Sequence, residues 1–255
     1  MARFAANLTH LFNELPMLER FDAASRAGFR GAEILFPYDL VVPDLRRAAD
    51  AAGLDIVMIT CPPPNWAGGP RGFAAVPEVQ ERFRHDFERA LRVAEALSAR
   101  HIHVMAGKAK GPEAYACLVE NLGWAAHRAP HASLTIEPKN ATDKPGHFLD
   151  SFDLALQVIE AVGAPNLGLQ FDAYQAHMMT GDVLNTFKAC QHRVHHIQIA
   201  GAPGRHEPRD GDIDYAEFLR AVEASGYSGW ISAEYHPRTT TGAGLHWMSS
   251  ELYHS

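Results

Sequence analysis

The sequence predicts an α/β protein: one closed barrel of eight parallel strands, each followed by a helix, the (β/α)8 or TIM barrel. Eight short apolar runs, rich in β-branched residues, recur along the 255 residues. That is one unit per roughly 32 residues, the length of a βα repeat. Segments with helical spacing of apolar residues lie between most of these runs. The rival, a doubly wound open sheet, is disfavoured because no Gly-rich phosphate fingerprint follows the first run.

The predicted strands are the apolar runs themselves. In chain order they are RFAAN (3–7), GAEIL (31–35), DIVMIT (55–60), HIHVM (101–105), SLTIE (133–137), LGLQFD (167–172), HHIQI (195–199) and WISAE (230–234). The predicted helices repeat apolar residues three and four positions apart, and several end at a glycine. They are 17–28, 42–53, 78–99, 115–129, 151–163, 182–190 and 214–226. The eighth helix is the weakest, because few residues follow the last strand.

Composition limits the function classes. No Ser/Gly tract, charge block or low-complexity run divides the chain, so residues 1–255 are predicted to form a single domain. A net charge of -7 argues against a nucleic-acid partner, which would need clustered Lys and Arg. No run of 18 apolar residues and no signal-peptide organisation is present, so we expect a cytoplasmic protein without a membrane partner. A homo-oligomer is compatible with the sequence.

The last four predicted strands share one alternation of side chains. In each, apolar residues take one face and polar residues take the other. Each polar face ends in an oxygen-bearing side chain near the C-terminal end of its strand. These side chains are Glu137, Asp172, Gln198 and Glu234. Alternate residues of a barrel strand face the interior, and TIM barrel chemistry lies at the C-terminal end, so the four are predicted to converge.

A metal ion would make such a cluster stable. Three carboxylates in a dry barrel mouth repel one another unless a cation lies between them. Four oxygen donors without cysteine are typical of a hard divalent ion, so we predict Mg²⁺ or Mn²⁺ rather than zinc. Gln198 would supply a neutral carbonyl oxygen, which limits the negative charge of the cluster. Any one acid alone is more simply a salt-bridge partner; the shared parity of four favours ligation.

Five segments carry a resemblance to a known family. They are FAANLTHLFNELPMLERFDAASRAGFRGAEILFPYD (4–39), NWAGGPRGFAAVP (65–77), IEPKN (136–140), HIQIAGAPGRHEPRDGDIDY (196–215) and YSGWISAEYHPRTTTGAGLHWM (227–248). The chain resembles the hydroxypyruvate isomerase family of xylose-isomerase-like TIM barrels, from Arg3 to Trp247. HVMAG and the GRHEP loop are similar to a close branch, the 2-oxo-tetronate isomerases. The resemblance implies the same four metal ligands and adds that Glu137 and Glu234 are the paired proton donor and acceptor.

One position departs from the family pattern. The family usually has a histidine three positions after the metal-bound aspartate, and this chain has Gln175. We retain Gln175 as a substrate-binding candidate, because an amide still hydrogen-bonds a hydroxyl although it cannot titrate near neutrality. The departure bears on the choice of substrate more than on the type of reaction.

The expected reaction is the isomerisation of a small hydroxy-oxo acid. The resemblance implies hydroxypyruvate as substrate and tartronate semialdehyde (2-hydroxy-3-oxopropanoate) as product. The metal would chelate substrate oxygens and stabilise the enediolate charge. One glutamate would remove the C–H proton and the other would donate on the neighbouring carbon, with the direction unassigned.

The substrate carboxylate needs a cation, and arginine suits it through its bidentate geometry. Arg71, in the loop after the third strand, and Arg205, in the loop after Gln198, are the candidates. Trp66 in the first of these loops either excludes water from the site or packs as an ordinary aromatic.

Other polar residues share the interior face of the barrel. His103 is a substrate-binding candidate, although His103 and His196 are both more simply satisfied core histidines. Glu33 is a candidate structural partner for Arg or Lys. Lys139, two residues beyond Glu137, either reaches the mouth or lies in solvent, and is left unassigned.

Four alternative functions remain open. The nearest are a 2-oxo-tetronate (3-dehydrotetronate) isomerase and a sugar 3-epimerase. The epimerase would use the two glutamates on a single carbon. A zinc endonuclease-type hydrolase shares the architecture, but the acidic charge and the oxygen-only donor set disfavour it. A non-catalytic ligand-binding barrel predicts stabilisation by ligand without turnover.

Overall fold

The computed structural model describes residues 3–61, 69, 71–209 and 211–248. Its strands are Arg3–Asn7 (β1), Gly31–Glu33 (β2), Asp55–Cys61 (β3), His101–Val104 (β4), Ser133–Ile136 (β5), Leu167–Asp172 (β6), Val194–Ile199 (β7) and Trp230–Ala233 (β8). They follow one another in chain order around a closed barrel. Every neighbouring pair is parallel, and β8 pairs with β1. The predicted TIM barrel is confirmed; the single-domain assignment over residues 1–255 stays a prediction.

Helices surround this barrel. They are Met17–Arg26 (α1), Val42–Ala52 (α2), Gln80–Leu97 (α3), Gly111–Arg128 (α4), Phe152–Val162 (α5), Ala173–Thr180 (α6), Val183–Cys190 (α7), Tyr215–Ala224 (α8) and Thr241–Gly244 (α9). Short 3-10 helices occupy Pro37–Asp39, Pro77–Val79, Gln191–Arg193 and Leu245–Met248. In the described part of the chain, no helix combines the length and apolar character needed to span a bilayer.

Helix α6 is absent from the sequence-based prediction. Its sequence, AYQAHMMT, has little apolar periodicity, so the spacing of apolar residues does not predict a helix here. Asp172 caps the helix, since its side chain accepts hydrogen bonds from the backbone N–H groups of Tyr174 and Gln175. The last residue of β6 therefore serves both the strand and the helix that follows.

The alternation of side chains holds in the structure. The apolar residues of β6 face outward, where the Phe171 ring lies 5.4 Å from Phe152, 5.3 Å from Phe187 and 5.8 Å from Phe218, measured between centroids. Burying each such ring stabilises the fold by about 1.5–3 kcal/mol. The polar residues of the same strands face the interior, where they contact one another across the barrel. This packing fixes the direction in which the site residues point.

Candidate active site

The four predicted oxygen donors lie at the C-terminal mouth of the barrel. Asp172 ends β6 and pairs in register with Gln198 of β7. Glu137 and Glu234 come directly after β5 and β8, and the Glu234 backbone N–H donates to the Ile199 carbonyl at 3.0 Å. All four are buried, from 0% exposed for Gln198 to 7% for Glu234. The structure thus brings these residues to one place, while their roles stay predictions.

Two nitrogen donors gather the four oxygens into pairs. Gln170 Nε2 donates to Glu137 Oε2 at 2.7 Å and to Gln198 Oε1 at 2.8 Å. Arg205 Nη2 donates to Asp172 Oδ2 at 2.9 Å and to Glu234 Oε2 at 2.7 Å. Among the described residues, no three His, Cys, Asp or Glu side chains converge closely enough to hold a metal in this arrangement.

Burial and cations set the charge of the site. Burial raises the pKa of Glu137, with Lys139 opposing the shift from its ion-pair contact with Oε1. Burial likewise raises the pKa of Asp172, against the effect of Arg205. Burial also opposes ionisation of Glu234, but Arg205 and Lys139 outweigh it and the pKa of Glu234 is lowered. Two protein cations thus compensate three buried carboxylates only in part.

Glu33 organises the floor of the site from the opposite side of the barrel. Its Oε2 accepts from Gln198 Nε2 at 3.0 Å and from Asn7 Nδ2 at 3.1 Å, and its Oε1 bonds with His196 Nε2. The prediction of an Arg or Lys partner is therefore wrong for the described residues, since neutral donors and His196 surround the carboxylate. Glu33 is completely buried, and three hydrogen bonds stabilise it there.

Arg205 is held in place by its loop. The residue adopts φ 53°, an uncommon conformation for a residue with a side chain. Its carbonyl accepts a hydrogen bond from the His236 N–H at 2.8 Å, which joins the loops after β7 and β8. Its guanidinium carbon lies 5.0 Å from the centroid of the Tyr174 ring. Paired with two carboxylates, Arg205 has less capacity for a substrate anion than a free arginine would have.

Gln175 contacts the loop after β5. Its Oε1 accepts from the Asn140 backbone N–H at 2.8 Å and from Asn140 Nδ2 at 2.7 Å. Its Nε2 is buried and has no hydrogen-bond partner. The backbone N–H of Gln175 also donates to Asp172 Oδ1, at 3.4 Å. Gln175 thus keeps one buried amide donor that is not used within the protein.

The other substrate-binding candidates lie on the side of Glu137. His103 Nε2 is 3.8 Å from Glu137 Oε2, and burial lowers the pKa of this histidine well below its usual value, so it is neutral. Arg71 and His103 line the same cavity, and the Arg71 guanidinium lies 5.9 Å from the Phe36 ring centroid. Trp66 lies outside the described residues. Arg71 therefore lines the cavity on the side of Glu137, whereas Arg205 contacts Asp172 and Glu234.

Sequence reasoning missed three contacts of the site. Gln170 shares the inward parity of its strand, a signal that could have identified its link between Glu137 and Gln198. Lys139 was left unassigned, yet it pairs with Glu137. His10, from the loop after β1, lies 3.9 Å from Glu234 Oε1, and no strand pattern points to it.

The donor set fits a divalent cation in its chemistry. Mg²⁺ and Mn²⁺ prefer oxygen ligands, and this set offers three carboxylates and one amide carbonyl. Each of these groups accepts a hydrogen bond from Gln170 Nε2 or Arg205 Nη2. A cation at the mouth would add positive charge where burial raises carboxylate pKa values. Glu137, Asp172, Gln198 and Glu234 would hold it.

A closed barrel with polar side chains gathered at its C-terminal mouth is the architecture of a TIM barrel enzyme. Residues 21–251 match the family described as xylose isomerase-like TIM barrel. The chain is 42% identical over 258 residues to a 2-oxo-tetronate isomerase from Cupriavidus necator, with 99% of each chain covered. It is 40% identical over 254 residues to a hydroxypyruvate isomerase from Escherichia coli, covering 97% of this chain and 98% of the relative.

A solved structure gives the same fold assignment. It is described as an AP endonuclease, family 2, from Brucella melitensis, and it matches with a TM-score of 0.94 at 38% identity, covering 99% of both chains. The chain therefore belongs to the xylose isomerase-like TIM barrel family, among the relatives named 2-oxo-tetronate isomerase and hydroxypyruvate isomerase. It is an isomerase.

Proposed function

We propose that the chain interconverts hydroxypyruvate and tartronate semialdehyde, an aldose–ketose type isomerisation of a small hydroxy-oxo acid. The hydroxypyruvate isomerase relative at 40% identity supports this reaction. The observation that carries the proposal is the burial of Glu137 and Glu234 at one barrel mouth, beside Asp172 and Gln198. Two carboxyl groups in a water-poor site can act as the general base and the general acid that move a proton between adjacent carbons.

The proposed reaction depends on Mg²⁺ or Mn²⁺. When bound, the ion would act as a Lewis acid that polarises the substrate carbonyl and favours the enediolate. Glu137, Asp172, Gln198 and Glu234 would hold it through the oxygens that now meet Gln170 and Arg205.

The two glutamates carry the proton transfer. Strands β5 and β8 are separated by β6 and β7, so Glu137 and Glu234 reach the substrate from different directions. One accepts a proton from C3 of hydroxypyruvate, and the other delivers a proton to C2, while the hydroxyl proton passes from O3 to O2. In the reverse reaction the two roles exchange. Lys139 and Arg205 keep these carboxylates oriented through their ion pairs.

A second candidate, 2-oxo-tetronate isomerase, is favoured by two observations. The relative at 42% identity carries that name. The buried and unpartnered Nε2 of Gln175 offers a donor for an additional hydroxyl, which a four-carbon acid has and hydroxypyruvate lacks. The reaction and its residues would be the same.

A substrate panel tests the proposal. The protein is freed of metal by chelation and assayed with hydroxypyruvate and with 2-oxo-tetronate, with and without Mg²⁺ or Mn²⁺, by NMR in deuterium oxide. We expect a carbonyl shift between C2 and C3 that depends on metal, faster with hydroxypyruvate. Faster turnover of 2-oxo-tetronate supports the second candidate.

Three outcomes would contradict both candidates. Inversion at one carbon without a carbonyl shift indicates an epimerase. Tightly bound zinc together with DNA cleavage indicates a hydrolase. Thermal stabilisation by these acids without turnover, under every metal condition, indicates a binding protein.

A further inference from the structure

A cavity of about 550 Å³ opens beside the candidate active site, on the side of Glu137. The loops that follow β3, β4 and β5 form its walls. His103 and Lys139 belong both to the cavity and to the surroundings of Glu137, so the two spaces adjoin. A ligand with one end between the glutamates can therefore extend its other end into this cavity.

Backbone contacts fix the shape of the cavity walls. The Ala75 N–H donates to the Ala106 carbonyl at 2.8 Å, and the Phe148 N–H donates to the Gly107 carbonyl at 2.9 Å. Gly72 and Gly107 have φ values of 90° and 92°, and a Cβ on Gly107 would lie 2.2 Å from the Gly72 carbonyl oxygen. The three loops are thus joined closely, which pre-organises the cavity for a ligand.

Three cations without carboxylate partners line this cavity. They are Arg71, Lys108 and Lys144, and in the described part of the chain none of them forms a salt bridge. Burial, followed by the charges of Lys139 and Arg71, lowers the pKa of Lys144. All three side chains are exposed, so solvent screens their mutual repulsion, and an anion bound among them would reduce it further.

The cavity's own carboxylate is already engaged. Asp143 is the only acidic residue among the described lining residues, and it accepts from Asn140 Nδ2 at 2.9 Å and from the Tyr174 hydroxyl at 3.0 Å. Burial, with Lys139 and Lys144 nearby, lowers the pKa of His147 to about 4, so this lining residue is neutral at pH 7. Asp143 offsets only one of the three positive charges, so the cavity keeps a positive surplus.

We propose that this cavity is the subsite for the substrate's carboxylate, in which Arg71, Lys108 and Lys144 select acids over neutral ketoses. The inference rests on the proposed isomerase function and names the residues that bind the carboxylate of its substrate. Arg71 supplies a planar guanidinium that binds carboxylates through two parallel hydrogen bonds, and the lysines add charge. Arg205 is paired with Asp172 and Glu234, so it holds the site's own carboxylates instead.

Binding of unreactive ligands tests the subsite apart from catalysis. D-glycerate keeps the carboxylate and the C3 hydroxyl of hydroxypyruvate and has a hydroxyl in place of the C2 carbonyl, and glycerol replaces the carboxylate by an uncharged group. Calorimetry with the Mn²⁺-loaded protein should show glycerate binding that Arg71→Gln, Lys108→Gln and Lys144→Gln each weaken by about tenfold, the value of one charge-assisted hydrogen bond. Lys110→Gln is the matched control, because Lys110 is exposed in the same loop but does not line the cavity.

Catalysis provides the second measurement. We expect each of the three cavity variants to lower kcat/KM for hydroxypyruvate, chiefly by raising KM, while Lys110→Gln keeps the wild-type value. Hydroxypyruvate turnover with unchanged glycerate binding and KM in all three variants would overturn the subsite and leave the proposed function intact. Loss of glycerate affinity in a protein that does not turn over hydroxypyruvate would support the subsite and overturn the function. An equal loss in Lys110→Gln would reduce the effect to net charge and reject the subsite.

Discussion

Gln198 donates its side-chain amide hydrogen to Glu33 Oε2 at 3.0 Å, across the interior of the barrel. A carboxylate only accepts hydrogen bonds, so this contact turns the Nε2 atom of Gln198 toward β2 and its Oε1 atom toward Gln170. The orientation of an amide that could point either way is thus set by a residue on a distant strand. We therefore expect Glu33 to position Gln198 as a metal ligand.

Glu33→Gln should weaken metal binding. A glutamine at this position can donate as well as accept, so the amide of Gln198 is no longer fixed with its oxygen toward the site. We expect Mn²⁺ affinity to fall about tenfold, as for other residues that orient metal ligands. Calorimetric titration with Mn²⁺ measures the change, and circular dichroism checks the fold. Glu19→Gln, on the exposed surface of α1, is the control, and wild-type affinity in Glu33→Gln would reject the positioning role.

Glu137→Gln and Glu234→Gln should each lower kcat by about 10²–10⁴, the usual contribution of a general acid or base. The amide keeps a carbonyl oxygen for the metal but cannot exchange a proton at neutral pH. Assays at saturating Mn²⁺ separate the loss of proton transfer from any loss of metal. Glu160→Gln, on the exposed face of α5, should keep the wild-type rate. Wild-type turnover by either active-site variant would contradict its acid–base assignment.

The alternation of strand residues predicts the architecture and the gathering of the four oxygen donors. Side-chain direction along a strand repeats every two residues whatever its neighbours are, and barrel closure brings all C-terminal strand ends to one mouth. Glu137, Asp172, Gln198 and Glu234 could therefore be placed together without knowing a single contact. Helix α6 could not be predicted in this way, because its start depends on the Asp172 cap and not on apolar spacing.

The partners across the barrel could not be predicted. Glu33 bonds with His196 and Gln198, which lie 163 and 165 residues away in the sequence, and parity gives the face of a residue but not its opposite neighbour. The contact of Arg205 with Asp172 and Glu234 depends on a loop residue at φ 53°, a conformation that sequence spacing does not reveal. Sequence reasoning therefore places these four side chains better than the groups that orient them.

Arg205→Met should make stability depend on metal. Without the guanidinium, Asp172 and Glu234 lose the cation that contacts both, and chiefly the more distant charge of Lys139 still opposes the cost of their burial. The metal-free protein should lose about 2–3 kcal/mol of unfolding free energy, below the range for a fully buried pair because the arginine side chain is 21% exposed. Removal of a competing cation should also tighten Mn²⁺ binding by about tenfold.

Thermal melts with chelator and with Mn²⁺ measure the Arg205 effect. The melting temperature of Arg205→Met should fall with chelator and recover with Mn²⁺ by more than that of wild type. Arg205→Lys keeps a positive charge and should show a smaller change in both quantities. A melting temperature of Arg205→Met that does not respond to Mn²⁺ would argue against ligation by Asp172 and Glu234.

Gly107→Ala should open the wall of the cation-lined cavity. The added Cβ would lie 2.2 Å from the Gly72 carbonyl oxygen, so the loops after β3 and β4 must separate. Gly146→Ala is a matched control, because Gly146 also has a positive φ, 78°, but has no atom within 4 Å of an added Cβ. Both variants incur the left-handed backbone cost of about 1–2 kcal/mol, and only Gly107→Ala adds an overpacking cost of about 1–3 kcal/mol.

Urea unfolding measures the stabilities, and calorimetry measures glycerate binding, which should weaken in Gly107→Ala alone because Arg71 and Lys108 flank the displaced contact. Equal stabilities and equal glycerate affinities in the two variants would show that the close approach of Gly72 and Gly107 does not shape the cavity.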